Sequence, residues 1–313
     1  MAKRICLHIG AHKCASTMIQ ANCLKNINRI HHDLGLRYIK SEQRGNSFYT
    51  LFLQIASRLF DFNDEKLFDD RIKKARENFN TIIKKYRDDK IFISWEGFLG
   101  HCGMHKYGSL YPYTKYYFKA LKEITKDHDV KIILVIRRQD EFVESCYLQQ
   151  IKECQILTFS DYMKAIDIKN LSWLTIVNQI EQWVGRDNIL IHPFEEIKKG
   201  SRRFLDTILS FASGKDSSNL DINIIDGANP SISGKGVELA LKIYPLANDH
   251  KEMKIISRFL FNHLSSVHFG KARLMSEPQK KAIIKHCEAD NKKLSCIYKL
   301  DLSHYTQTTP KTT

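Results

Sequence analysis

Residues 4–20 read Arg4-Ile-Cys-Leu-His-Ile-Gly10-Ala-His-Lys13-Cys-Ala-Ser16-Thr17-Met-Ile-Gln20, and they decide the fold. Ile5, Leu7 and Ile9 recur at the two-residue period of a short buried strand. Gly10 marks a tight turn, and Ser16-Thr17 opens a helix. A strand running into a loop at a helix N-terminus makes an anion site, because free N–H groups and the helix dipole both favour negative charge. Lys13 adds a full positive charge, and Ser16 and Thr17 add hydroxyl donors. The stretch reads as a loop for a phosphate-type group, against the plainer reading of a strand–turn–helix with a solvated lysine.

The loop of ATP- and GTP-using proteins needs Gly, four residues, then Gly-Lys-Ser/Thr. Here Gly10 and four further residues lead to Ala15, with Ser16 where that lysine belongs. Lys13 instead lies inside the loop, three residues before Ser16. A second segment carries a similar signal. Val130–Ile136 is a continuous apolar run, as expected of a strand buried on both faces of a parallel sheet. It ends at Arg137-Arg138, and helical spacing of apolar residues begins at Gln139. Arg137 at the strand end and Ser145 two turns into the helix suit a single anion; the alternative is a pair of arginines solvating a strand end.

Lys13-x-x-Ser16-Thr17 after a strand resembles the 5′-phosphosulfate loop of sulfotransferases that use 3′-phosphoadenosine 5′-phosphosulfate (PAPS). Arg137-Arg138-Gln139-Asp140-x-Phe142-x-Glu144-Ser145-x-Tyr147 resembles the bacterial, carbohydrate-sulfotransferase-like branch of that family. The resemblance covers residues 4–150 best. It implies a P-loop-like three-layer α/β fold with a central parallel sheet of about five strands and a largely helical C-terminal portion. It also implies PAPS as sulfuryl donor, adenosine 3′,5′-bisphosphate as product, and no metal. Gly10, Lys13, Cys14, Ala15, Ser16 and Thr17 would hold the 5′-phosphosulfate, and Arg137 and Ser145 the 3′-phosphate. Ala15 stands where the family usually has Gly, so this residue is expected at negative φ. Asn229–Gly236 falls where family members place a loop near the nucleotide, with Lys235 as its charge; Ser233 as a helix N-cap is the alternative.

Sulfuryl transfer needs a positive group to meet the negative charge that gathers on the leaving oxygen and a base for the acceptor, which makes Lys13 and Glu96 the catalytic candidates. Glycan members resembling this branch use a Glu after the third strand, where Glu96 stands; small-molecule members use a His, so His12, His101 and His105 compete. Choosing Glu96 favours a carbohydrate acceptor hydroxyl or amine. Glu96 as a mere helix-start carboxylate is the alternative. Tyr107, Tyr111, Tyr113, Tyr116 and Tyr117 offer either a sugar-stacking platform or a half-buried helix face.

At 313 residues, Lys and Arg number 49 against 35 Asp and Glu, a net charge of +14 that favours anionic partners. The function classes left beside a sulfotransferase are a P-loop-type nucleotide kinase and a non-catalytic basic module for acidic polymers; no specific nucleic-acid contact is expected. The eight cysteines show no Cys-x-x-Cys and no zinc-like spacing, which suits reduced core thiols. Cys14 is open to two readings, a low-pKa thiol or a space-filler. The first strand starts close to Met1 with no signal or transmembrane segment, and the expectation is a cytoplasmic enzyme. Further strands are expected at Leu36–Ile39, Ile91–Ser94 and Ile189–His192, and helices at 47–87, 114–126, 173–184 and from about 197 to 297. One domain over 1–302 and a disordered tail over 303–313 complete the reading.

Overall fold

The computed structural model describes residues 2–40, 47–56, 65–226 and 230–307. In chain order the elements are β1 (Arg4–His8), α1 (Ser16–Lys25), α2 (Ile27–Leu34), β2 (Leu36–Ile39), α3 (Ser47–Ala56), α4 (Glu65–Lys84) and β3 (Lys90–Ser94). They continue with α5 (Thr114–Thr125), β4 (Asp129–Ile136), α6 (Gln139–Lys152), α7 (Phe159–Lys164), α8 (Trp173–Val184), β5 (Ile189–Pro193) and α9 (Ser201–Ser213). The C-terminal helices are α10 (Gly234–Ile243), α11 (His250–His263), α12 (Ser266–Phe269) and α13 (Glu277–Tyr298). The expected helix over 47–87 falls partly on 57–64, and the Asn229 loop partly on 227–229; both pieces lie outside the described residues. Ser303–Tyr305 forms a 3-10 turn with Tyr305 buried, and 308–313 of the expected tail also lie outside them.

The chain divides into two compact units: residues 1–101, 111–137 and 173–226, and residues 102–110, 138–172 and 227–313. The first holds the whole sheet, five parallel strands in the order β2-β3-β1-β4-β5. Ile132 through Ile136 on β4 are all fully buried, which is why that strand reads as an unbroken apolar run. From β1 the chain moves left to β2; every later crossover moves right. Right-handed crossovers therefore put α1 and α2 on one face and α3, α4, α5 and α8 on the other.

α1 is tied to the first face by two buried asparagines. Asn22 Nδ2 donates to Ile225 O at 3.2 Å and its Oδ1 accepts from Ile225 N at 2.7 Å. Asn26 repeats the pattern on Asn223, at 3.0 Å in both directions. Each amide thus bonds both the N–H and the C=O of one residue in the segment that follows α9. In the second unit α6 packs against α10, α11 and α13. The buried amides of Gln139 and Asn291 exchange hydrogen bonds of 2.8 and 3.1 Å there.

Two buried histidines in the first unit couple its stability to pH. His8, on β1, lies 2.7 Å through Nδ1 from Ser94 Oγ, and burial pushes its pKa down to about 3. His192, on β5, packs 4.3 Å from the Phe204 ring, and burial pushes it down to about 4. Both are neutral in the folded chain and titrate near 6.5 when unfolded. Their contribution is complete above pH 6.5 and is lost as pH falls from there toward 4, where only the unfolded chain takes up the protons. The expected loss is about 1.4 kcal/mol per pH unit for each histidine, measured by urea unfolding across that window. His192→Phe should flatten the slope by one histidine, and an unchanged slope would refute the assignment.

Candidate functional site

Strand order brings the carboxyl ends of β3, β1 and β4 side by side in the first unit. In an open parallel sheet this is where strand order reverses and where ligands bind. From β1 comes the loop Gly10–Ala15, from β3 the segment beginning Trp95-Glu96, and from β4 Arg137. The ladders run to the edge of the site, with Ile9 N donating to Ile133 O at 3.1 Å and Trp95 N to His8 O at 3.0 Å.

The loop is left-handed at three places: Gly10 at φ 55°, Lys13 at 63° and Ala15 at 63°. Ala15 is the N-cap of α1 with no side-chain cap. The expected negative φ at Ala15 is therefore corrected; the backbone takes the turn usually given to glycine, although the side chain opposes it. A left-handed non-glycine residue costs about 1–2 kcal/mol, and such strain persists where the surroundings over-determine it. Gly10 is forced by space as well as angle. A Cβ there would stand 3.1 Å from Ser16 Oγ and 3.2 Å from both Cα and Cβ of Glu96.

Ser16 Oγ is buried and has no hydrogen-bond partner among the described residues. The first turn of α1 adds N–H groups that lack intrahelical acceptors. Lys13 and Thr17 are exposed. Cys14 is fully buried, and burial raises its thiol pKa far above the ordinary range, so it fills space as a neutral thiol. Arg137 Nη1 donates to Lys13 O at 3.3 Å, and its guanidinium lies 4.7 Å over the Phe194 ring. The neighbouring arginine is engaged otherwise: Arg138 forms a bidentate pair with Asp140 at 2.7 and 2.9 Å.

Glu96 opens a 3-10 turn directly after β3. Its Oε2 accepts from Gln20 Nε2 at 3.1 Å, and the same amide reaches Ser94 O at 3.3 Å. Ser94 Oγ meets His8, so a polar chain runs from the sheet core to the carboxylate. Glu96, Gln20, His12 and His101 line one cavity of about 400 Å³ with Phe52, Leu53, Trp95, Gly97 and Gly100. Two of the three rival histidines thus share a cavity with Glu96, their rings 6.1 Å apart. His105, in the second unit, packs 5.5 Å from Tyr162. His12 N donates to Tyr111 Oη at 2.9 Å, and burial with the charges of His101 and Lys13 holds its pKa well below the usual histidine range. Trp95 leans on Phe98 and Tyr49, each at 5.0 Å, in an aromatic wall built by α3.

A larger groove of about 860 Å³ between α4, α5 and α8 takes no lining residue from a strand-end loop. The tyrosines do not share one role: Tyr111 and Tyr117 are buried, Tyr117 Oη donating to Phe52 O at 3.3 Å, while Tyr116 packs on Phe68. In the second unit, Ser145 sits half-exposed on α6. Lys235 is the second residue of α10, exposed, 5.6 Å over the Phe269 ring. Ser233 caps that helix, accepting from Gly236 N at 3.1 Å, so its N-cap reading holds. Gln20 escaped the sequence reading; its one signal is its place four residues after Ser16, on the same side of α1.

No family model matches the chain, and no curated protein matches it in sequence. Among solved structures, it is similar to a sulfotransferase from Alicyclobacillus acidocaldarius. That alignment covers 98% of this chain and 100% of the other, with 11% identity and a TM-score of 0.54. Retinol dehydratase, in complex with androsterone and the inactive cofactor PAP, aligns over 92% of this chain and 80% of its own, with 11% identity and a TM-score of 0.40. The chain has the fold of the first of these, an α/β fold on a five-stranded parallel sheet.

Opposite effects are expected at the two ends of the loop. Gly10→Ala should destabilise by about 1–3 kcal/mol, because the new methyl meets Glu96 and Ser16 in a left-handed backbone. Ala15→Gly should stabilise by up to about 1 kcal/mol, relieved strain outweighing added chain entropy. Urea unfolding of both variants checks this, and a stabilised Gly10→Ala would show the loop is built otherwise.

Proposed function

We propose that this protein is a sulfotransferase that takes its sulfuryl group from PAPS and delivers it to an acceptor hydroxyl or amine, on a carbohydrate. The observation that carries the reading is the left-handed loop ending in the orphaned, buried Ser16 Oγ, with Arg137 and Glu96 on the two flanking strand ends. The loop fits a phosphosulfate: it offers helix-start N–H groups, a buried hydroxyl without a partner, and the exposed charge of Lys13.

PAPS, when bound, supplies a sulfuryl group on a phosphate leaving group. Gly10 and Cys14–Thr17 shape and line the loop, and Lys13 meets the negative charge that gathers on the leaving oxygen. The resemblance in spacing assigns Arg137 and Ser145 to the 3′-phosphate, and the family's loop at about this point of the chain suggests Lys235 for the nucleotide. Glu96 takes the acceptor proton, with Gln20 fixing which carboxylate oxygen faces the cavity. Burial lowers the basicity of His12, which makes its imidazole a weaker proton acceptor than an ordinary histidine. The cavity lining favours a carbohydrate: an aromatic side from Phe52 and Trp95 faces amide, imidazole and carboxylate groups, and among the described residues it contains no Lys or Arg. The same absence of cations argues for a neutral or amine-bearing acceptor.

Adenosine 3′,5′-bisphosphate should raise the melting temperature without any metal. At a hundredfold excess over its dissociation constant the stabilisation is about 2.7 kcal/mol. ATP with magnesium should give little, and Arg137→Ala should remove most of the preference for a 3′-phosphate. A clear shift with ATP and none with the bisphosphate would favour a kinase.

Glu96→Gln should keep bisphosphate affinity near wild type and lower turnover about 10²–10⁴-fold, the usual range for a positioned base. His101→Ala should be far milder. Turnover measured with a sugar acceptor decides between them; loss on the histidine variant alone would move the base, and with it the case for carbohydrate.

A further inference from the structure

Large apolar side chains stand in water along α11 and α12 of the second unit. Ile255 is 68% exposed, Phe259 59%, Val267 73% and Phe269 49%, and Leu246, just ahead of α11, is 77%. On α11 the buried residues Ser257 and Leu260 mark the face turned to the unit. Ile255 and Phe259, one turn apart, occupy the opposite face, where a surface helix ordinarily carries polar residues. Ile255 and Phe259 together make an exposed apolar pair on the outward face of α11.

Charge says what covers it. Lys251 lies one turn before Ile255, Arg258 immediately before Phe259, and Lys254 and Lys271 flank the same stretch; all four are exposed. Among the described residues, neither Lys251 nor Arg258 forms an ion pair with a carboxylate. A face between two protein copies is poor in lysine at its core. Cations interleaved with large apolar groups at one-turn spacing suit instead the plane of an anionic bilayer. Ile and Phe enter below the headgroups while Lys and Arg stems reach back to the phosphates. We propose that the outward face of α11 is a peripheral contact surface for anionic phospholipid. No helix among the described residues is long and apolar enough to cross a membrane, so binding is at the surface of the bilayer. The net charge of +14 adds long-range attraction to such a surface.

Co-sedimentation with vesicles tests this without nucleotide or acceptor, so it stands or falls apart from the sulfotransferase reading. The full chain should pellet with phosphatidylcholine–phosphatidylglycerol vesicles and much less with phosphatidylcholine alone. The double variants Ile255→Glu/Phe259→Glu and Lys251→Glu/Arg258→Glu should each lower partitioning about tenfold or more while circular dichroism stays unchanged. Phe259→Trp should show a blue-shifted emission on adding anionic vesicles, a readout that needs no loss of binding. The proposal is overturned if the wild type does not pellet, if both double variants pellet as well as wild type, or if the Trp emission does not move. Light scattering that shows a dimer split by Ile255→Glu/Phe259→Glu would also overturn it, making the face an interface between copies.

Discussion

The site depends on one constraint: β1 lies between β3 and β4, all three parallel, so their carboxyl ends open on the same edge. Ladder bonds hold these ends in register up to Ile9 and Trp95, so the loop after each strand has little freedom in where it starts. The Gly10–Ala15 loop, Glu96 and Arg137 come from three segments far apart in sequence. They become neighbours because hydrogen bonds between strands, and the right-handed crossovers linking them, leave no other arrangement.

Within that frame the close approach of Gly10 to Glu96 joins the two halves of the site. Without a Cβ, Gly10 lies against the backbone of the residue proposed as base. The loop then turns twice through left-handed conformations on side chains that resist them, Lys13 and Ala15. Arg137, bonded to Lys13 O, and the buried Cys14 hold that shape from either side. Strain of this kind is the expected cost of presenting N–H groups to a ligand, and it is concentrated where the loop meets α1.

The electrostatic contrast across the first unit is as informative as the geometry. A chain with a net charge of +14 has, at the end of β3, a cavity whose described lining contains one carboxylate and no Lys or Arg. The cations gather elsewhere, around the α4–α5–α8 groove and, in the second unit, along α11. Overall composition therefore describes the surface and its partners, while the cavity answers to its own few residues.

Residue pattern alone placed the five strands, most plainly β4, because burial on both faces of a parallel sheet leaves an apolar run such as Val130–Ile136. It also placed the Gly10–Ala15 loop and the Arg137 strand end, since both sit at abrupt changes from apolar period to charge. It did not reach Gln20, whose hold on Glu96 spans 76 residues, nor the meeting of His12 and His101 in one cavity. The five tyrosines looked alike in sequence and were sorted only by packing, with Tyr111 and Tyr117 buried and Tyr116 set against Phe68. Ala15 is the sharpest case: its intrinsic preference is for negative φ, and only the tertiary contacts around the loop impose the opposite sign. Local periodicity reports what each segment buries; side-chain partners and backbone strain arise from contacts between segments, and those exist only once the sheet has brought its strand ends together.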